Sequence, residues 1–301
     1  MSDFLIKIQN GFKIMVLSYK LFFKRPKYLF FPIINLLILM FFITSMFMII
    51  YFTTGFEKNS ARALSFSNKL LISSAFIWLS IMGSFFFTLI SVATSFFSIK
   101  ALENNDITLS AAINHSLEKS KIILQWAIVN VTIGIILDLF KNKNNRLVAG
   151  ILSGLASLAG LAWNVATFFI FPVIAFENLG IFASIKHSAI TMKKTFGESA
   201  IAFFSFGIVE MITLFCCGYG TFWLTTIVFN DILIPLNFVS ANQNNLKFIV
   251  VVTPTLFVIS FIISITSTVK TIFKTAVYAY GTNRPTGIFP PELISSSFGK
   301  H

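Results

Sequence analysis

The chain has 301 residues, 56% of them hydrophobic and only 11% charged, with a mean hydropathy of +0.84. A water-soluble domain carries about 25% charged residues to face its solvent, so this composition excludes one and makes lipid the main surroundings. The net charge of +12 reads, in so apolar a chain, as lysine and arginine flanking membrane spans and not as a nucleic-acid surface.

Residues 2–25 pattern as a basic amphipathic helix, with Phe4, Ile8, Phe12, Met15, Tyr19 and Phe22 opposite Lys7, Lys13 and Lys20. Six apolar stretches follow, each reaching the roughly 20 residues that cross a hydrocarbon core of about 30 Å. They lie at about 28–52, 70–98, 122–140, 148–176, 200–229 and 248–269. The first is longer than the apolar region of a cleavable signal peptide and reads as a span. Pro32, Pro172 and Pro254 mark kink positions in spans one, four and six. Residues 282–301 form a proline-containing tail that docks on the bundle through Phe289 and Phe298 or binds a partner. The whole of 1–281 is one all-α polytopic domain.

Two connections repeat the amphipathic pattern. Leu109, Ile113 and Leu117 stand opposite Asn114, His115 and Glu118. Ile181, Phe182, Ile185, Ala189, Met192 and Phe196 fall in one arc of about 100°, with Lys186, His187, Thr191, Lys193 and Lys194 outside it and Ile190 as the exception. With the N-terminal helix, these make three basic helices expected in the interface, with His115 and His187 on their wet faces. "ALENNDITLSAAINHS" (101–116) and "AFENLGIFASIKHS" (175–188) share an A-x-E-N start and an I-x-H-S end. That pairing suggests three helical-hairpin repeats, with a chance match in a biased composition as the equal alternative. Of the 23 Lys and Arg, 16 fall on the side of the termini and 7 on the other, so the positive-inside bias puts both termini in the cytoplasm.

Enzyme signatures are missing. None of the three histidines lies in a span, and no G-x-S-x-G, phosphate-cradling loop or dinucleotide fingerprint occurs. Cys216-Cys217 has no metal spacing and reads as packing. No catalytic residue, metal or cofactor is expected. The informative residues are polar groups inside spans. Glu210 falls about ten residues into span five, roughly 15 Å deep, and Asn164 and Asn130 lie at comparable depth in spans four and three. They form a candidate polar layer. With no Lys or Arg at that depth, Glu210 is expected to be protonated; its role is either functional or that of a hydrogen-bonded strut. Small residues four apart around Gly150, Gly154 and Gly160 read as a helix-packing face inside the bundle or, second, as a homodimer face. Glu177, at the water boundary, caps the following helix or pairs with Lys186. Asp138 pairs with Lys141.

"WNVATFFIFPVIAFENLGIFASIKHSAITMKKTFGES" resembles a pattern in which W-x-x-x-T-F-F precedes a proline, an acid, an amphipathic helix and a GE pair. "TAVYAYGTNRPTGIFPPELISSSF" resembles a C-terminal A-x-Y-x-Y-A-x-x-G-x-x-P-x-x-F, departing from it at Tyr280-Gly281, and "SYKLFFKRPKYLFFPII" is similar to that family's basic approach to span one. The family is one of bacterial six-pass integral membrane proteins of unknown function. The resemblance implies a six-pass fold in a bacterial inner membrane and supplies no catalytic residue or substrate.

Two functions follow. The first is a non-enzymatic scaffold or accessory protein, whose partners are the bilayer's anionic headgroups and a protein or second copy, and in which Glu210→Gln is nearly silent. The alternative is a transporter or channel with a polar layer around Glu210.

Overall fold

A computed structural model describes residues 2–54, 66–141, 146–233, 248–286 and 289. The helices are α1 (Ser2–Lys24), α2 (Phe30–Thr54), α3 (Phe66–Leu102), α4 (Leu109–Glu118), α5 (Ser120–Lys141), α6 (Arg146–Ala166), α7 (Ile170–Phe176), α8 (Ile181–Lys194), α9 (Phe196–Ile227) and α10 (Thr253–Gly281). A 3-10 turn, Pro26–Leu29, joins α1 to α2, and π-helical turns occupy Val228–Leu233 and Phe248–Val252. No strand occurs among the described residues.

Six segments among them are long and apolar enough to cross a membrane: Pro26–Ile50, Leu70–Leu102, Ser120–Phe140, Leu152–Phe176, Ser205–Asn230 and Val250–Gly281. Five lie close to the stretches expected. The sixth runs about a dozen residues past its expected end, carrying Lys270 and Lys274 within it. Large apolar side chains such as Phe41, Trp78, Phe215 and Trp223 point outwards. In water that much exposed apolar area would be costly; against lipid it is the natural outer surface.

The core gathers toward one end. Tyr28 in the 3-10 turn and Phe31 at the start of α2 pack with Phe97 near the end of α3, and Phe169, Val173, Phe273 and Tyr278 belong to the same cluster. This end also collects α1, α4, α8 and residues 282–286, and is the polar end of the bundle. The tail docks here through Phe289, which is fully buried; Phe298 lies outside the described residues.

The two outlying helices α1 and α8 are packed more deeply than their amphipathic patterns imply. α1 buries Ile14, Met15, Ser18, Leu21 and Phe22 against α9 and α10 and leaves Phe12 outside. α8 buries Ile181, Ser184, Ser188, Thr191 and Met192, while Phe182 is 76% exposed. The reason is close approach: where one helix lies tightly on others, small hydroxylated residues fit the contact and a phenylalanine does not. So Thr191, expected on the wet face, is inside. α4 starts at Thr108, whose side chain accepts the Ala111 N–H at 3.1 Å. It buries Ala112 and Ser116, the positions that match Ser184 and Ser188 of α8.

Span four is discontinuous. α6 ends at Ala166 and α7 begins at Ile170. Pro172 is the cause, since it has no N–H and its ring conflicts with the carbonyl four residues back, that of Phe168. The freed Phe169 N–H donates to Ser188 Oγ of α8 at 3.0 Å, so the break is satisfied from a neighbouring helix. Pro32 and Pro254 sit in the first turns of α2 and α10, just after the 3-10 turn and the second π turn, where the missing N–H costs little.

α3 and α10 end alike. Asn104 and Asn283 both adopt φ 56°, the left-handed conformation that closes a helix, and Asn105 N–H and Arg284 N–H reach back to Lys100 O and Ala279 O at 2.9 and 2.7 Å. A Cβ on Gly281 would stand 3.3 Å from Thr195 and 3.4 Å from Thr191, so the glycine lets α10 pass close to the end of α8.

Ser188→Ala should leave the Phe169 N–H buried without an acceptor and lower stability by about 1–3 kcal/mol. Ser157→Ala, on an exposed face, should change it by less than about 0.5 kcal/mol; thermal unfolding of the purified protein in detergent measures both.

Candidate functional site

α10 carries Thr266, Lys270, Lys274 and Tyr278, each four residues after the last. Steps of four residues turn a helix by about 400°, so each side chain is offset by about 40° from the one before. The four therefore fan over about 120° and meet different neighbours.

Lys270 pairs with Glu210 of α9. The side chains are 20% and 19% exposed, so the pair is shielded but not sealed. Tyr19 of α1 lies close to Thr266 and Glu210 and packs on Phe206, their ring centres 5.9 Å apart. Burial raises the Tyr19 phenol above the usual tyrosine value, the Thr266 hydroxyl opposes the rise, and the Glu210 charge adds to it.

The expectation that Glu210 has no counter-ion is thus overturned, because Lys270 of the sixth span pairs with it. The depth changes as well. Twenty residues, enough for a core of about 30 Å, counted back from Asn230 reach Met211, and counted forward from Val250 reach Val269. Glu210 and Lys270 are the next residue on each helix. Counted so, both fall at the polar-end limit of a crossing of about 20 residues, where an ion pair costs far less than at the centre.

Asn130 and Asn164 are brought together, but not with Glu210. They line a cavity of about 550 Å³ along with Ser84, Thr88, Thr167 and Lys274. Asn130 Oδ1 accepts the Trp163 indole N–H at 3.3 Å, and Trp163 stacks on Trp126 at 5.7 Å. Lys274 reaches the cavity with its ammonium 4.5 Å from the centre of the Phe168 ring and 5.9 Å from that of Phe171, positions that stabilise a cation in an apolar wall. The broken segment of span four supplies both rings.

At the polar end Glu177 neither caps α8 nor pairs with Lys186. Its Oε1 accepts from the Tyr278 hydroxyl at 2.6 Å and from Arg284 Nη2 at 3.5 Å. The left-handed turn at Asn283 leads directly into Arg284, whose guanidinium also lies 5.0 Å from the Phe176 ring centre. Two of the three stretches that carry the family resemblance therefore meet at one carboxylate.

His115 and His187, expected on wet faces, turn inwards. His115 stacks on Phe96 at 3.9 Å and donates its Nε2–H to Ala175 O at 2.7 Å. His187 turns a buried Nδ1 inwards, its ring 6.3 Å from that of Tyr278.

The small-residue face is mixed. A Cβ on Gly160 would stand 3.6 Å from Leu137 of α5, whereas one on Gly154 would meet only open space; Gly150 lies outside the described side chains. Asp138 is exposed, and Lys141, its expected partner, is likewise outside them. Sequence reading missed Lys270 and Lys274 because span six was ended at 269. It missed Tyr19 as a partner of α10, and Asn35, buried beside the cleft between α2 and α3. The T-x-x-x-K-x-x-x-K-x-x-x-Y spacing was the available signal.

A model of a family of unknown function (DUF6159) matches residues 70–288. No curated protein matches the chain, and no solved structure does.

Removing the Glu177 carboxylate takes away an acceptor shared by Tyr278 and Arg284. Glu177→Ala should cost about 1.5–3 kcal/mol, Glu177→Gln less because one acceptor remains, and Lys186→Ala under about 0.5 kcal/mol. Thermal unfolding in detergent ranks the three.

Proposed function

We propose that this chain, which belongs to that family of unknown function, is a non-enzymatic scaffold or accessory protein of a bacterial inner membrane. In this reading both termini and the polar end face the cytoplasm. The observation that carries it is the pairing of Glu210 with Lys270: a carboxylate bound to a cation of the same bundle, with α1 closed over it, acts as a clamp between helices.

The outer surface of the polar end supports the membrane role. Lys13, Lys20, Lys24, Lys27, Lys186 and Lys193 are all exposed. Each lysine close to an anionic headgroup layer contributes about 1 kcal/mol of attraction. Phe182 and Ile190 stand exposed on the same helix as Lys186 and Lys193, the mixture of apolar and basic groups that an interface takes up. The matching buried positions of α4 and α8, and the matching ends of α3 and α10, favour three repeated hairpin units. The open face at Gly154 suits close approach by a second copy or another membrane protein.

The alternative, a transporter or channel, has one observation in its favour. Span four breaks beside a cavity that holds Asn130, Asn164 and Lys274, as the substrate-binding helices of many transporters do.

Water access beside the clamp separates the two. Thr213→Cys in a Cys216→Ala/Cys217→Ala background places a thiol one turn from Glu210, toward the bilayer centre. The scaffold reading predicts protection from a membrane-impermeant thiol reagent in vesicles of either orientation, while a Lys186→Cys control labels from the cytoplasmic face alone. Modification at position 213 from either face favours the transport reading.

A further inference from the structure

The geometry points to the cavity between α3, α5, α10 and the broken span four as a binding site for an anionic amphiphile, its acidic head at Lys274 and one acyl chain running out past Leu161 and Val165. Four observations carry this, and none depends on the scaffold reading.

The volume of about 550 Å³ falls within the range of about 300–1,000 Å³ typical of small-molecule sites. Its lining has one cation, Lys274, and no carboxylate. Asn130 has its carbonyl oxygen fixed by the Trp163 indole, which can only donate, and this leaves the two Nδ2 hydrogens as donors for a ligand. The remaining wall is graded. Phe168 and Phe171 surround the ammonium, and the lining residues Leu161, 62% exposed, and Val165 form a mouth on the outer, lipid-facing side of the bundle.

Level in the membrane fits as well. Lys274 lies one turn beyond Lys270, itself at the polar-end limit of the crossing, so it stands where lipid acids carry their headgroups. Asn130 and Leu161 lie deeper, where a chain belongs. A head with a single negative charge and a chain of ordinary length satisfies both ends. A free fatty acid and an anionic phospholipid inserting one of its two chains share this chemistry.

The test uses the full-length protein in phosphatidylcholine nanodiscs with a photoactivatable, alkyne-tagged palmitic acid. Cross-links should map to the cavity segments of α3, α6 and α7. Lys274→Met should reduce labelling at least about tenfold, and Lys274→Arg should retain most of it. Leu161→Trp, a change at the exposed mouth that leaves the packed core alone, should block labelling even if Lys274→Met fails to fold. Excess palmitate competing better than phosphatidylglycerol identifies a free acid as the occupant; the reverse order identifies the phospholipid. Both uphold the site. Hexadecanol competing as well as palmitate, or undiminished labelling in folded Lys274→Met or Leu161→Trp protein, would overturn it.

Discussion

An ionised carboxylate is stable at the edge of a hydrocarbon layer only when its counter-charge comes with it, and Glu210 and Lys270 bring each other. Much of the bundle is arranged around that requirement. The pair fixes the register of α9 against α10, since a shift of one turn on either helix would strand both charges. α1 closes the remaining side with Tyr19, which lies close to Thr266 and packs on Phe206, and Phe206 in turn meets Phe273 of α10 at 5.3 Å. The N-terminal helix is therefore part of the polar end's core.

The same demand for partners shapes the rest. Many hydroxyls inside the spans donate to the carbonyl one turn back, as Thr94 does to Ile90 O at 2.8 Å and Thr275 to Thr271 O at 2.7 Å, because no water is there to take the bond. Where Pro172 breaks span four, Ser188 takes up the freed N–H. Where α10 leaves the bundle, Tyr278 and Arg284 converge on Glu177. α10 is the common element, with four polar side chains fanned along one winding ridge toward α1, α9, the cavity and the α7–α8 junction. A cation set on this ridge beside two aromatic rings is also what gives the cavity its chemical character.

Much of the architecture was legible in the sequence. Unbroken apolar runs such as 70–98 have no structure open to them in lipid other than a helix, and the amphipathic stretch before Arg25 does form one. The face each outlying helix buries was not legible. A helical wheel ranks residues by hydrophobicity, whereas α8 is held by Ser184, Ser188 and Thr191 because small residues permit close approach. The polar groups were found but grouped wrongly. Asn130 and Asn164 do share a cavity, while Glu210 belongs with a lysine 60 residues further on, and a pairing of that separation leaves no local trace. Lys270 was also discounted by its charge: it looked like the end of a span, and the helix continues to Gly281. Glu177 was placed at the membrane boundary, but its partners come from the far end of the chain.

The most direct test of the clamp is a double-mutant cycle of Glu210→Gln and Lys270→Met, read as unfolding free energy of the purified protein in detergent. If the pair locks α9 to α10, each single change loses about 1.5–3 kcal/mol, because it leaves a charge behind. The double variant then loses less than the two together by at least about 1 kcal/mol. Losses that add to within about 0.5 kcal/mol would mean that the two charges act independently, and would contradict the account.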